Sequence, residues 1–450
     1  MSTQEEGRSF NQPKNTIMDQ EMNSANHLGY GFSYLKIVFV LILFLISLIS
    51  FVTQTELTSV LYTKYGFKEP ILLLFLTHGF WWCLWPLQFM FIAIFKTLKR
   101  YVNYKRGYEV IINGQPKKWR GFRRSIASSI KAQHQNVFHT AELTAAANIP
   151  GYKITYTDPK KSFRQYKEFL HSEAIQYVFK MAAILSIILN VAGVTWYVAM
   201  SLSTGSDVTA IYNCSAFTAY IFAIPILKER FSWIKANSVV IAISGVFIVA
   251  YMGKRSMENS SNNYQHRLLG NFIILIGAIM YGLYEVLYKK WCCPPTELVS
   301  ARRQATFSNF IMCLIGISTF VSMGLVLLIV QITGIHKFAF PIKATEVIIM
   351  LTSIFSNHVF SVCFLGLMSL TSPVFSSVAS LLTILIVGAF EWIFRGIVIT
   401  LAQVIGYIFI LAGFSLLTYA SWNEISQEDT DDNCYITDSE STYSVSSNQP

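Results

Sequence analysis

Apolar residues gather along the chain in runs of about twenty, the length a helix needs to cross a hydrocarbon layer ~30 Å thick. Ten such runs are legible, at 36–61, 71–95, 176–202, 207–227, 235–252, 268–288, 306–332, 346–369, 372–394 and 399–420. Inside a run such as "IVFVLILFLISLISF" the apolar positions are continuous, whereas a membrane barrel would alternate apolar and polar residues. The pattern predicts an all-α membrane protein with ten transmembrane helices. The runs at 207–227 and 372–394 hold more Ser, Thr and Asn than the rest.

The runs also repeat. "VLYTK" at 60–64 returns as "VLYKK" at 286–290, an offset of 226. "GVFIVAY" at 245–251 returns as "GFSLLTY" at 413–419, and "MSLST" at 200–204 as "MSLTS" at 368–372, both offset by 168. One duplication with an insertion of 58 residues between the second and third helices of the first half accounts for all three echoes. Chance recurrence of short apolar words is the competing explanation. Five helices per half is an odd number, so the second half runs inverted relative to the first. Inverted repeats suit alternating access, because two such halves pack in two conformations of similar energy. The domain reading is a cytosolic disordered tail (1–33), a first five-helix repeat (34–252) containing a basic loop (96–175), a lumenal or external loop (253–267), a second repeat (268–420) and an acidic Ser/Thr-rich tail (421–450).

Composition agrees. Only 13% of the 450 residues are charged, about half the usual share in soluble domains. The first run is too long for a signal-peptide core and reads as a retained anchor. From Lys96 to Glu173 there are sixteen Lys/Arg against five Asp/Glu. The positive-inside bias then places this loop and both termini in the cytosol. The acceptor triplet at Asn259 falls on the opposite side, as a glycosylation site requires; the triplet at Asn213 lies inside a run. Within the loop, Phe122, Ile126, Ile130 and Val137 recur at helical spacing beside Arg120, Arg123, Arg124 and Lys131. This predicts an amphipathic helix on the anionic cytosolic leaflet rather than a nucleic-acid site. The seven cysteines show no zinc spacing, and no metal or cofactor is expected.

"WYVAMSLSTGSDVTAIYNCSAFTAYIFAIPILKERFSWIKANSVVIAISGVFIVAY" and "MYGLYEVLYKK" resemble the third-to-fifth and sixth helices of the drug/metabolite transporter superfamily, in particular the solute carrier family 35 F branch with its EamA-like inverted repeat. The marks are a Ser/Thr-rich fourth helix, "KER" at Lys228–Arg230 and Gly245 in the next helix. "KER" has no counterpart after the ninth run, where "EWIFRG" stands. The resemblance implies a central solute cavity lined by helices 1, 3, 4, 6, 8 and 9. It also allows homodimers.

Polar side chains at mid-depth in a membrane need a reason. Asn190 and His358 are related by the 168-residue shift, as are Asn190's neighbour Trp196 and Phe364. With Tyr281 and Glu285 of the sixth run they form the candidate substrate site, suited to a flat or ring-bearing solute. Interhelical hydrogen bonding is the competing assignment for Asn190 and His358. Glu56, His78 and Glu229 are candidates for coupling or gating; solvation at the interface is the alternative for the carboxylates. Pro86 is expected to disturb the second helix, Asp207 to cap the fourth, and Gly245, Gly406 and Gly413 to allow close helix packing.

The expected function is secondary transport of a small neutral or cationic organic metabolite, with proton coupling as an option, in a multi-pass protein of the vacuolar, Golgi/ER or plasma membrane. A nucleotide-sugar exchanger would want fixed positive charge in its cavity, whereas the only lysine inside the third run, Lys180, lies about one turn from its cytosolic end. A transport-inactive scaffold or sensor is the rival from another class. No motif of an intramembrane hydrolase is present, so an enzyme is not expected.

Overall fold

A computed structural model describes residues 15–67, 69–105, 111–112, 115–116, 121–154, 170–203, 205–249, 266–295, 298–341, 343–395 and 399–421. Among these, eight helical segments are long and apolar enough to cross a membrane: Ile37–Tyr62, Pro70–Lys105, Glu173–Leu202, Val208–Leu227, Leu268–Cys292, Ala301–Thr333, Ala344–Leu370 and Leu401–Ala420. Two further apolar helices are shorter, Trp233–Phe247 and Pro373–Ile386. They correspond to the fifth and ninth runs. The protein is therefore an all-helical, multi-pass integral membrane protein. Asn259 and the acidic tail lie outside the described residues.

The first helix, α1 (Asn15–Thr63), begins well before its apolar span. Residues 15–33, expected as a disordered tail, continue the helix. No proline lies between Asn15 and Thr63, so a helix propagating from the apolar part meets no break. The second span is interrupted. It comprises α2 (Pro70–His78), a 3-10 turn (Gly79–Cys83) and α3 (Leu84–Lys105). Pro86 is the cause, since its ring clashes with the carbonyl four residues back. That carbonyl, on Trp82, instead accepts the Cys313 thiol at 3.1 Å.

Next comes α4 (Phe122–Asn148), then α5 (Glu173–Leu202), α6 (Gly205–Tyr212), α7 (Ser215–Leu227) and α8 (Trp233–Phe247). The second half holds α9 (Arg267–Cys292), α10 (Ala301–Thr333), α11 (Ala344–Leu370), α12 (Pro373–Ser380), α13 (Leu382–Arg395) and α14 (Leu401–Ala420). Two-residue strands at Ile111–Ile112 and Gln115–Pro116 pair antiparallel. Side-chain caps on α5 (Ser172), α8 (Ser232) and α12 (Ser372) satisfy otherwise orphaned N–H groups. A capping box joins Thr400 and Gln403 at the start of α14. Asp207, expected as a cap, falls instead within the first turn of α6, where the helix dipole also favours a negative charge.

The fourth and ninth spans are each broken once, at Asn213–Cys214 and at Leu381. The breaks are 168 residues apart, the same shift as two of the sequence echoes. Helix pairing has a matching regularity: α1 packs on α11, α5 on α9, and α8 on α14. The last pair is close because of glycine. A Cβ on Gly245 would lie 2.6 Å from the Gly406 carbonyl oxygen, and one on Gly413 2.6 Å from the Ser238 carbonyl oxygen. At the end of α11, Lys289 donates to the carbonyls of Ser369 at 2.8 Å and Thr371 at 2.7 Å, a cation at the negative end of a helix.

The loop helix α4 exists where helical spacing predicts it, and Arg123, Arg124 and Lys131 are exposed. Its destination differs from the expectation. From Gln133 to Ala145 nearly every residue is buried, packed across α3, α5, α9 and α10 at one end of the bundle. Phe138 and Val137 find partners in Trp85, Phe307 and Phe310, so they do not need lipid.

Candidate functional site

A cavity with an open mouth lies among the helices of the bundle. Helical periodicity decides which side chains reach it. On α11, Asn357, Phe360, Ser361 and Phe364 line it, an i, i+3, i+4, i+7 stripe on one face. On α5 the stripe is Leu189, Gly193, Trp196 and Tyr197. Phe51 and Gln54 come from α1, His78 and Trp81 from the second span, Tyr212 from α6, Tyr281 and Tyr284 from α9, and Met312 from α10. The second and seventh spans thus contribute, and among the described residues α12–α13 do not. This corrects the expectation that the ninth helix lines the cavity. Val374, Val378 and Leu381 of that span pack instead with Ala216, Ala219 and Tyr220 of α7.

The wall is mostly aromatic. Tyr281 lies 5.0 Å from Tyr212, 5.8 Å from Tyr284 and 6.4 Å from Phe364, between ring centroids. Phe360 lies 5.2 Å from Phe364 and 5.0 Å from Phe51. Among the described residues, no Lys, Arg, Asp or Glu lines the cavity.

One continuous polar chain crosses this apolar wall. Trp81 Nε1 donates to Asn357 Oδ1 at 3.0 Å, and Asn357 Nδ2 donates to Gln54 Oε1 at 3.2 Å. Gln54 Nε2 donates to the Tyr197 hydroxyl at 3.5 Å, and Tyr197 donates to Thr77 Oγ1 at 3.1 Å. Each group is buried and partnered, so the chain fixes the orientation of both amides. His78 stands beside it, its ring 4.2 Å from Trp81. Its Nδ1 is buried and makes no hydrogen bond among the described residues. Gly193 makes room for that ring; a Cβ there would lie 3.0 Å from His78 Cε1.

Of the residues singled out in the sequence, Trp196, Tyr281, Phe364 and His78 line the cavity. Asn190 does not. It follows Leu189 by about 100° of helix rotation, and its amide bonds Thr319 at 3.1 Å and Ser322 at 3.5 Å on α10. That is the interhelical assignment. His358 is turned away in the same manner by its neighbour Asn357, and its Nδ1 donates to the Ile354 carbonyl at 2.7 Å. Glu285 is fully buried, behind the tyrosine wall rather than in it, near enough to Tyr212, Tyr281 and Tyr284 for charge interaction. Glu56 is half-buried on α1 and does not line the cavity. Glu229 sits 4.0 Å from Lys235 Nζ at the end of the fourth span. Sequence reasoning missed Gln54 and Asn357. Their signal was present: an amide within an apolar run is as costly as a histidine there.

A family model described as "Ceramide synthase regulator" matches residues 68–420. Individual relatives are distant. An "Uncharacterized transporter C405.03c" of Schizosaccharomyces pombe is 23% identical over 52% of this chain and 68% of its own length. Human "Solute carrier family 35 member F4" is 23% identical over 29% of this chain and 24% of its own. The "Mannosyl phosphorylinositol ceramide synthase regulatory protein CSG2" of Saccharomyces cerevisiae is 27% identical over 30% of this chain and 37% of its own. The chain is similar to transporters of the solute carrier family 35 type, and for the last two relatives the match spans less than half of their length.

Proposed function

The chain belongs to the ceramide synthase regulator family, and from that premise we propose that it is itself a secondary transporter, carrying a small ring-bearing solute, neutral or monocationic, by alternating access. The observation that carries this reading is the cavity: bordered by seven spans, walled by aromatic rings, crossed by an ordered amide chain and free of fixed charge among its described lining residues. Aromatic faces attract flat rings and cations, and the Gln54–Asn357 pair offers hydrogen bonds to an edge. A nucleotide sugar would need cationic partners for its phosphates, and the described residues of this wall offer none. Relatives named as transporters support the same class.

Ten helices in two inverted five-helix repeats are part of this reading. Its supports are the 168-residue spacing of the two breaks and the reciprocity of the pairings α1–α11 and α5–α9. Discontinuous helices beside a midplane site are a recurring feature of secondary transporters. The loop charge favours cytosolic termini. A membrane of the secretory pathway, glycosylation at Asn259, contact of Arg123, Arg124 and Lys131 with anionic lipid, and homodimers complete the proposal. Glu285, buried behind Tyr281 and Tyr284, is the group best suited to carry a coupling proton.

A second reading has its own support: the family description, and one relative's name as a regulatory protein, favour a membrane regulator that moves no solute. Uptake into vesicles that contain only this protein separates the two. Saturable entry of a ring-bearing metabolite, abolished by Asn357→Leu, supports the carrier; a vesicle that takes up nothing supports the regulator.

A further inference from the structure

The inserted loop helix α4 covers one end of the bundle, and the residues between it and the cavity form a closed layer. Leu185, Tyr288 and Met368 each lie about one turn beyond a cavity-lining residue toward α4, and each is fully buried. Phe138 and Ala141 of α4 belong to the same apolar cluster as these residues and as cavity-lining Tyr284 and Met312. Any solute leaving the cavity at that end would have to pass where α4 sits.

The underside of α4 is unlike a permanent core. Eight of its thirteen buried residues are polar, among them Ser129, Gln133, His139 and Glu142. Gln133 donates to the Phe89 carbonyl at 3.0 Å, yet its Oε1 is buried with no hydrogen-bond partner among the described residues. The same holds for Ser129 Oγ on α4, Thr97 Oγ1 on α3 and Asn309 Oδ1 on α10, the three helices that meet along this seam. Buried polar atoms left without partners oppose docking, and water entering the seam would satisfy them. Against that, α4 is tied to α10: Arg303 donates from Nη2 to His139 Nδ1 at 3.1 Å and to Thr140 Oγ1 at 3.0 Å.

We propose that α4 is a detachable plug: an insertion present only in the first half, seated over the cytosolic exit of the cavity, latched by Arg303, and released into water when the cavity opens to that side. Its role as a plug rests on the carrier reading, but its detachment does not. The seam is polar because it alternates between a docked and a hydrated state. Lifting α4 exposes Ser129 and Gln133, and the apolar layer beneath becomes the inward gate.

The test is thiol accessibility of the full chain in lipid nanodiscs, with the native cysteines replaced by alanine or serine. Single cysteines are placed at Ser129 in the seam (S129C), at exposed Lys131 (K131C) and at fully buried Ala182 of α5 (A182C), each a small or surface change. A membrane-impermeant maleimide is expected to label S129C more slowly than K131C and clearly faster than A182C. Adding Arg303→Gln is expected to raise the S129C rate about tenfold, as loss of two charge-assisted hydrogen bonds predicts. Labelling of S129C no faster than A182C, with or without Arg303→Gln, would overturn the plug. The measurement needs no solute. A chain that labels but transports nothing keeps the detachable helix and loses the carrier; one that transports while S129C stays protected keeps the carrier and loses the plug.

Discussion

Ser380 donates a hydrogen bond to Asn213 Oδ1 at 3.3 Å, joining the break in the fourth span to the break in the ninth. Asn213 is the unwound residue between α6 and α7; Ser380 ends α12, next to the break at Leu381. At each break the backbone N–H groups turn to nearby carbonyls, as in Cys214 to Ile211 and Leu381 to Val378, and the side-chain bond holds the two breaks together. Asn213 is almost fully buried.

Replacing Asn213 with alanine removes this cross-break bond. Interhelical hydrogen bonds in membranes are worth about 1 kcal/mol, so Asn213→Ala is expected to lower the thermal unfolding temperature in detergent by a few degrees. Ser380→Ala should do no more than that, and the double variant should fall short of the sum. Additive losses in this cycle would mean that the two residues do not interact.

The amide chain makes a sharper distinction. Asn357→Leu leaves Trp81 Nε1 and Gln54 Oε1 buried without their partner, at a cost of about 1–3 kcal/mol. It should also abolish solute-dependent thermal stabilization. Asn190→Ala breaks only bonds to α10 and should lower stability by about 1 kcal/mol while leaving solute affinity unchanged. Isothermal titration on the two variants checks the difference.

Gly193 tests the fit of the wall. A Cβ at this position would lie 2.5 Å from Leu74 Cδ1 and 3.0 Å from His78 Cε1. Gly193→Ala is therefore expected to destabilize by about 1–3 kcal/mol, the usual range for overpacking. It should also displace His78 toward the cavity. A thermal melt together with solute binding would register both effects.

The expected pH response of α4 follows from His134, whose ring lies 5.8 Å from that of Trp85 and 5.2 Å from that of Phe89. Burial lowers its pKa; the bond to the Ile130 carbonyl offsets this only in part. The docked helix thus holds His134 neutral, while the released helix binds a proton near the ordinary value of about 6.5. Docking is unaffected by pH above that value and weakens as pH falls below it. Labelling of S129C, normalized to K131C, should rise between pH 7.5 and pH 5.5 (about one unit either side of that value). His134→Phe, which keeps a ring between Trp85 and Phe89, should flatten the response.

The sequence reveals the spans because a bilayer imposes length and continuity on apolar runs, and eight of the ten runs appear as long helices. The ninth is shortened by a break at Leu381 that has no proline or glycine to announce it. The seat of α4 was hidden for another reason. Ser125, Ser129, Gln133 and Thr140 read as a solvated face until Arg303 and the end of α3 are known to cover them. At the cavity, the 168-residue shift located the right helices but not the right faces. Asn190 and His358 sit one residue past the stripes that Leu189 and Asn357 occupy, and one residue is about 100° of rotation. Aromatic residues were more forgiving, since Trp196, Tyr281 and Phe364 all reach the wall.

The central claim is that the aromatic cavity carries a solute across the membrane. Its most direct test is uptake by proteoliposomes containing only this protein, offered a panel of neutral and monocationic ring-bearing metabolites beside nucleotide sugars. Saturable uptake of at least one ring-bearing compound, lost with Asn357→Leu and retained with Asn190→Ala, is the predicted result. No uptake across the panel, or uptake confined to nucleotide sugars, would contradict it.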